Sequence, residues 1–97
     1  MSRPELLSDS DITARLATTY GWARTGETIT KSFTFAGFPG AVAFVTRLVA
    51  PAERLEHHPD VNLRFNRVDI ALSTHEVGGV TALDFTLADE IEKAVGG

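Results

Sequence analysis

Residues 61–74 read Val61-Asn-Leu-Arg-Phe-Asn-Arg-Val-Asp-Ile-Ala-Leu-Ser-Thr74. Val61, Leu63 and Phe65 stand on odd numbers, and Val68, Ile70 and Leu72 on even ones. One regular strand cannot change parity, because its successive side chains alternate between two faces. Two strands joined by a two-residue turn can. A turn at Asn66-Arg67 predicts Phe65 opposite Val68, Leu63 opposite Ile70 and Val61 opposite Leu72, with all six on one face. On the other face Arg64 then falls opposite Asp69, a favourable cross-strand pair. Asn tolerates the left-handed backbone that such a turn requires. The stretch is a hairpin with one apolar face, and that face needs a cover.

The cover comes from the flanking sequence. Upstream, Phe38 to His58 has helical spacing, with Pro39 suited to its first turn and Pro59 stopping it. Its apolar positions (Ala41, Val42, Phe44, Val45, Leu48, Val49, Ala52, Leu55) wrap more than half the circumference, wider than the stripe of a surface helix. Phe44, Leu48 and Leu55 make a stripe for the sheet. Val42, Val45 and Val49 make a second one, suited to another subunit. Pro51 removes a backbone donor and should bend this helix. Further upstream, Trp22 to Phe35 reads as another hairpin turning at Thr25-Gly26-Glu27, with Ile29, Phe33 and Phe35 on one face. Before it, Ser8 to Tyr20 reads as a helix capped by Ser8, with Ile12, Leu16 and Tyr20 as its apolar stripe and Gly21 as its end. Downstream, Gly78-Gly79 supplies a turn, and Thr81 to Val95 reads as the last helix. Thr81 and Asp84 form its cap, and Leu83, Leu87, Ile91 and Val95 its buried face. Helix, hairpin, helix, hairpin, helix implies an α+β fold: a four-stranded antiparallel sheet with three helices on one face. Residues 1–97 fit one domain, with the first few residues and Gly96-Gly97 expected to fray.

Bulk properties narrow the function classes. The net charge is −4, so a general affinity for nucleic acid or for an anionic membrane is not expected. There is no cysteine, which removes disulfides, thiolate metal sites and cysteine nucleophiles and suits a reducing compartment. The N-terminus has no apolar signal core and no apolar run reaches the ~18–20 residues of a membrane span. A cytoplasmic protein is expected.

The chemistry-bearing residues gather where elements end. His57 and His58 close the long helix, and His75 follows the last strand. Element ends of an α+β sandwich can share one rim, and imidazole is the side chain best suited to proton transfer near neutral pH. The plainer reading is a favourable placement of His at a helix C-terminus. A three-His zinc site is a second chemical reading, but sequence neighbours on a helix point about 100° apart, which does not suit His57 and His58 as a ligand pair; no metal is expected. Asp84 is by spacing alone a routine cap, Glu53 and Glu56 are ordinary solvated helix residues, and Trp22 is core.

The ordered set is more specific than its parts. Glu53-Arg-Leu-Glu56-His57-His58-Pro59, then Phe65, then Ser73-Thr74-His75-Glu76, then Asp84, is similar to the active-site signature of the pterin-4a-carbinolamine dehydratases. Leu7-Ser8-Asp9, Gly21-Trp22, Phe33-x-Phe35, Phe44-Val45-x-Arg47 and Asn66-Arg67-Val68 resemble the same family, so the likeness runs along essentially the whole chain. It departs at Val61, where many members carry an aromatic, and at Pro51. The resemblance implies a lyase that expels the 4a-hydroxyl of a 4a-hydroxytetrahydropterin as water, giving quinonoid dihydropterin, with no cofactor. It implies His57 and His75 as acid/base residues, acid and base unassigned, and His58 as a residue that orients and binds the pterin. Glu56, Ser73, Thr74 and Glu76 would line the pterin site with these histidines. Glu53, Pro59, Phe65 and Asp84 would support it. The resemblance also implies a homodimer, with a tetramer possible, and as the alternative function a non-catalytic dimerisation, assembly or transcriptional-coactivator-type interaction module.

Overall fold

The computed structural model describes residues 4–96 of the chain. The ends expected to fray lie mainly outside them; Gly96, which is described, caps the last helix. Helix α1 (Asp9–Leu16) starts where Ser8 accepts a hydrogen bond from the Asp11 N–H, and it buries Ile12. It ends one turn earlier than its apolar spacing implies. The hydroxyls of Thr18 and Thr19 donate to the Arg15 carbonyl, and their amides close i→i+3 turns. Such local bonding competes with the helical ladder. Tyr20 therefore sits past the helix and is exposed.

Strands β1 (Ala23–Thr25) and β2 (Thr28–Thr34) form the first hairpin around Gly26-Glu27, with Gly26 in the left-handed region at φ 61°. Strands β3 (Asp60–Arg64) and β4 (Arg67–Leu72) form the second. All pairings are antiparallel and the strand order is β1-β2-β4-β3. The second hairpin slides by two residues from the expected register: Leu63 pairs with Val68 and Val61 with Ile70. Its turn is Phe65-Asn66, not Asn66-Arg67. A slip of two leaves every side chain on its face, so the inferred apolar face survives. Strand β2 enforces the change. Thr34 pairs with Arg67, which draws Arg67 into the ladder. Asn66 is clamped on both sides, accepting from the Phe35 N–H through its carbonyl (2.8 Å) and donating from Nδ2 to the Phe35 carbonyl (3.0 Å). Phe65 takes the left-handed position, at φ 52°, and is 68% exposed. Asp69 consequently faces Asn62, not Arg64, and finds its partners elsewhere. The Ser32 hydroxyl and the Arg67 guanidinium donate to it, and they hold its carboxyl below the usual carboxylate value. A depressed carboxylate contributes stability above its unfolded pKa and loses it as pH falls through the folded one.

The helix expected over 38–58 is two helices, α2 (Phe38–Arg47) and α3 (Val49–Leu55), broken at Leu48. Pro51 has no N–H for the Arg47 carbonyl, and its ring crowds that carbonyl. The Leu48 N–H turns back to Val45, and the Ala52 N–H restarts the ladder on Leu48. The break thus precedes Pro51, which sits in the first turn of α3, where proline is tolerated. The last helix, α4 (Ala82–Val95), begins with a complete capping box between Thr81 and Asp84.

One core joins these elements. Ile29 and Phe33 of β2 and Val68, Ile70 and Leu72 of β4 meet Phe44 and Leu48 of the broken helix and Leu87, Ala88 and Ile91 of α4. Phe44 is central, tilted against both Phe33 and Phe35 with ring centroids 5.0 Å apart. Lys31 lies on the same face of β2 as Ile29 and Phe33. Its stem runs along the core edge, its ammonium sits over the Phe33 ring and it donates to Glu92 at 2.7 Å, as long cationic side chains do at an apolar border. The Trp22 indole N–H donates to the same Glu92 oxygen at 2.9 Å, which satisfies a buried polar atom. Val42 and Val49 remain exposed and Val45 half-buried, as the second stripe implied. Val45 and Val49, with Leu48, Ala52, Pro59 and Val61, border a largely apolar groove of about 190 Å³ beside the edge strand β3. No described helix is long and apolar enough to cross a membrane.

Two phenylalanines give the test of this packing. Phe44→Ala should cost about 3–5 kcal/mol, the range for truncating a buried aromatic. Phe65→Gly should leave stability unchanged or raise it by up to about 1 kcal/mol, because it relieves a left-handed L-residue. Urea denaturation of both variants measures this, and similar losses at the two positions would contradict it.

Candidate active site

Asp84 owes its position to the start of α4. As the third residue of that helix it returns its carboxylate to the Thr81 N–H, which donates to Oδ2 at 2.9 Å. Inside a protein that cap carries further partners. The Thr74 hydroxyl donates to Oδ2 at 3.0 Å and lies 2.8 Å from the Thr81 hydroxyl. Oδ1 lies 2.6 Å from Nε2 of His57. Asp84 and Thr74 are fully buried, and His57 nearly so. A buried carboxylate is tolerated only when its oxygens are satisfied, and here both are.

His57 reaches Asp84 because of how α3 ends. Glu56 adopts the left-handed conformation at φ 50°. The His57 N–H then bonds the Ala52 carbonyl, and the Glu56 N–H the Glu53 carbonyl, the paired bonds of a Schellman stop. The reversal turns His57 inward and leaves His58 outside. His58 Nε2 lies 2.5 Å from Glu53 Oε2, one turn back on α3, with both side chains exposed. Pro59 then leads directly into β3.

His75 arrives from the other side. Past Leu72 the chain carries Ser73 and Thr74 and enters a short 3₁₀ turn, His75–Val77. The turn is closed by Thr74 N–H to Gly79 carbonyl at 2.8 Å, with Gly78 at φ 73°. The segment before α1 anchors it from outside, through the Leu7 N–H and the Val80 carbonyl (3.0 Å).

These pieces enclose an open cleft of about 140 Å³ lined by Glu56, His57, His58, Ser73, His75 and Glu76. The sequence expectation therefore converges for those six. Thr74 differs, since its side chain is turned inward to Asp84 and Thr81 and is not in the lining. The alternation Val68, Ile70, Leu72 already carried that information: Thr74 continues the same parity, which is the buried face. Asp84 and Glu53 stand behind His57 and His58 as imidazole partners. Phe65 is not brought to the cleft. It lies at the tip of the β3–β4 hairpin, at the end of those strands remote from His58 and Ser73. Thr81 is the residue that sequence reasoning assigned only to capping; its hydroxyl is also a member of the buried cluster. A larger hollow, about 250 Å³, lies over the open face of the sheet between β2, β4 and β3, but it contains no histidine. All three histidines line the smaller cleft. Among the described residues no three His, Asp or Glu side chains are grouped to hold a metal ion. A cleft with three imidazoles, two of them braced by carboxylates, is suited to moving protons at neutral pH.

Comparisons with known proteins agree along the whole chain. A family profile described as pterin 4 alpha carbinolamine dehydratase matches residues 5–94. A protein of Thermosynechococcus vestitus, provisionally named pterin-4-alpha-carbinolamine dehydratase, is 49% identical over 87 residues, covering 90% of this chain and 92% of that one. A protein of the same provisional name from Mesorhizobium japonicum is 44% identical over the full length of both. Among solved structures, a transcriptional coactivator/pterin dehydratase from Brucella melitensis superposes with a TM-score of 0.91 at 36% identity, covering 95% of this chain and all of that one. A pterin dehydratase-like protein identified as a RuBisCO assembly factor in the alpha-carboxysome shares the fold, with a TM-score of 0.63 at 22% identity, covering 78% and 88%.

Glu56 tests whether the cleft is strained to hold its side chain. A non-glycine residue in the left-handed region costs roughly 1–2 kcal/mol. Glu56→Gly should therefore keep or raise stability, by up to about 1 kcal/mol after the entropy of glycine is counted. A loss of more than about 1 kcal/mol in urea denaturation would instead mean that the Glu56 side chain holds the turn.

Proposed function

The chain belongs to the pterin 4 alpha carbinolamine dehydratase family, and from that membership we propose that it dehydrates a 4a-hydroxytetrahydropterin to quinonoid dihydropterin by histidine acid/base catalysis. The observation that carries this reading is the convergence of His57, His58 and His75 on one cleft, from two different chain segments, with Asp84 and Glu53 behind two of them. Elimination of water needs one proton delivered to the leaving 4a-oxygen and one removed from the ring nitrogen. The carbon–oxygen bond breaks as the carbon–nitrogen double bond forms, and no electrons are gained or lost. The step calls for no metal and no organic cofactor. His57 and His75 exchange these protons. His58, held by Glu53, orients the pterin, and Glu56, Ser73 and Glu76 complete the walls around it.

A non-catalytic assembly or dimerisation module is the second reading, favoured by the shared fold of the 22% identical assembly factor. The complete histidine set of the cleft supports the dehydratase.

The physiological unit in this proposal is a homo-oligomer, a dimer before a tetramer. Its support is the apolar groove bordered by Val45, Val49 and Val61, beside the unpaired edge of β3. Exposed edges and apolar patches are liabilities that association removes. A two-fold contact needs only one such patch on each chain.

Two experiments follow. Stopped-flow dehydration of a synthetic carbinolamine should be accelerated by the protein. His57→Ala and His75→Ala should each lower turnover by ~10²–10⁴-fold, the usual contribution of a general acid or base, whereas His58→Ala should chiefly raise KM. Wild-type turnover in both of the first two variants would overturn the assignment. For assembly, sedimentation at micromolar concentration should show a species larger than the 10.5 kDa chain, and Val45→Glu should shift it toward monomer with the fold kept. A single monomeric wild-type species would refute the oligomer.

A further inference from the structure

The hydrogen bonds around Asp84 have a direction, and it fixes which nitrogen of His57 can act on a ligand. Four donors and acceptors are determined without choice. The Leu83 N–H donates to the Thr81 hydroxyl oxygen at 3.2 Å, and the Thr81 N–H donates to Asp84 Oδ2 at 2.9 Å. The Thr74 hydroxyl is bonded to both Asp84 Oδ2, at 3.0 Å, and the Thr81 hydroxyl, at 2.8 Å. A hydroxyl has one proton and donates once. Thr74 gives its proton to the carboxylate, which can only accept. Thr81 must therefore donate to Thr74. The chain runs Leu83 N–H, Thr81 O–H, Thr74 O–H, Asp84, and it ends on the carboxylate.

The remaining contact follows. Oδ1 of Asp84 is 2.6 Å from Nε2 of His57. Oδ2 already accepts from two donors, the arrangement that suits an ionised carboxylate, so Oδ1 also accepts and the imidazole is the donor. Nε2 carries the hydrogen, as the partner of one ring nitrogen usually dictates. In the neutral ring Nδ1 then has the free lone pair. No side-chain nitrogen or oxygen buried among the described residues lacks a partner. Nδ1 makes no hydrogen bond to those residues, so it is not sealed from solvent, and the cleft is the opening that His57 lines.

The geometry points to Nδ1 of His57 as the atom that exchanges a proton with the ligand, and to Thr74 and Thr81 as positioning residues that lock it there through Asp84. The identity of the ligand rests on the dehydratase reading; the tautomer does not. Any proton that His57 passes to or takes from the pterin crosses at Nδ1, while Nε2–H stays on Asp84 in both the neutral and the charged ring. Thr74 touches no substrate. It holds the second carboxylate oxygen, which leaves the first free to face His57, and it joins the end of β4 to the N-terminus of α4 at the point where the imidazole docks.

The test is a long-range proton–nitrogen correlation spectrum of the ¹⁵N-labelled histidines at about pH 8, above the ordinary histidine pKa of ~6.5, with His57 assigned by its absence in His57→Gln. The expected result is a protonated Nε2 and an unprotonated Nδ1 for His57. A protonated Nδ1 overturns the proposal. Thr74→Val should then mix the tautomers and lower turnover by ~10²-fold at nearly unchanged KM, the scale of loss for a misplaced catalytic group. Thr74→Ser, which keeps the hydroxyl, should restore both. A folded Thr74→Val protein with wild-type His57 signals and turnover removes the positioning role. Should Thr74→Val fail to fold, the wild-type spectrum and Thr74→Ser decide the matter. A protonated Nε2 in a protein with no dehydratase activity would support the tautomer and overturn the dehydratase reading alone.

Discussion

The carboxylate of Asp84 is the point on which the site depends. It is fully buried, and a charge in that position is stable only if donors surround it. Three chain segments supply them: the N-terminus of α4 through the Thr81 amide, the end of β4 through the Thr74 hydroxyl, and the end of α3 through His57. Removing any one would leave a polar atom buried without its partner, a penalty of ~1–3 kcal/mol. The same cluster thus fastens two helix ends and a strand end together and sets the position of the imidazole. Stability and the placement of the His57 imidazole share one set of hydrogen bonds here.

Two backbone reversals allow the helix and the strand to meet there. Pro51 breaks the long helix at Leu48, so α3 takes its own direction. Glu56 then ends α3 in a left-handed turn, and adjacent histidines receive opposite environments: His57 joins the core and His58 stays with Glu53 in solvent. The neighbouring positions that make a shared metal site awkward are what allow two different environments within one short motif. One imidazole is fixed by a buried carboxylate, and the other is held by an exposed one.

Charge on the outside of the molecule follows the same division of labour between local and distant residues. Glu90 of α4 receives Lys93 from its own helix and Arg54 from α3, and Lys93 is the larger of the two influences that hold its carboxyl below the usual value. Exposed pairs of this kind add little stability individually, but the Arg54 contact spans the two helices that carry His57 and Asp84. Among the described residues the apolar groove beside β3 has no comparable cover.

The sequence by itself determined the order of helices and hairpins, the apolar face of each hairpin and six of the seven residues expected to line the cleft. Local spacing suffices for the first two, since parity fixes which side of a strand is apolar and Thr81 and Asp84 announce a helix start; the residues from Glu53 to Pro59 and from Ser73 to Glu76 stood out through their likeness to a family signature. Even the inward turn of Thr74 was legible, as the next member of the series Val68, Ile70, Leu72. What only the tertiary structure decided depends on partners remote in sequence. The hairpin register was set by β2, whose Thr34 and Phe35 claim Arg67 and Asn66, and that pairing put Phe65 at a solvent-exposed tip instead of near the site. The strand order, the join of Asp84 to His57 across 27 residues and the different partners of His57 and His58 likewise required the fold. A repeat of two or 3.6 residues says which face a side chain occupies, but not which distant donor will meet it there.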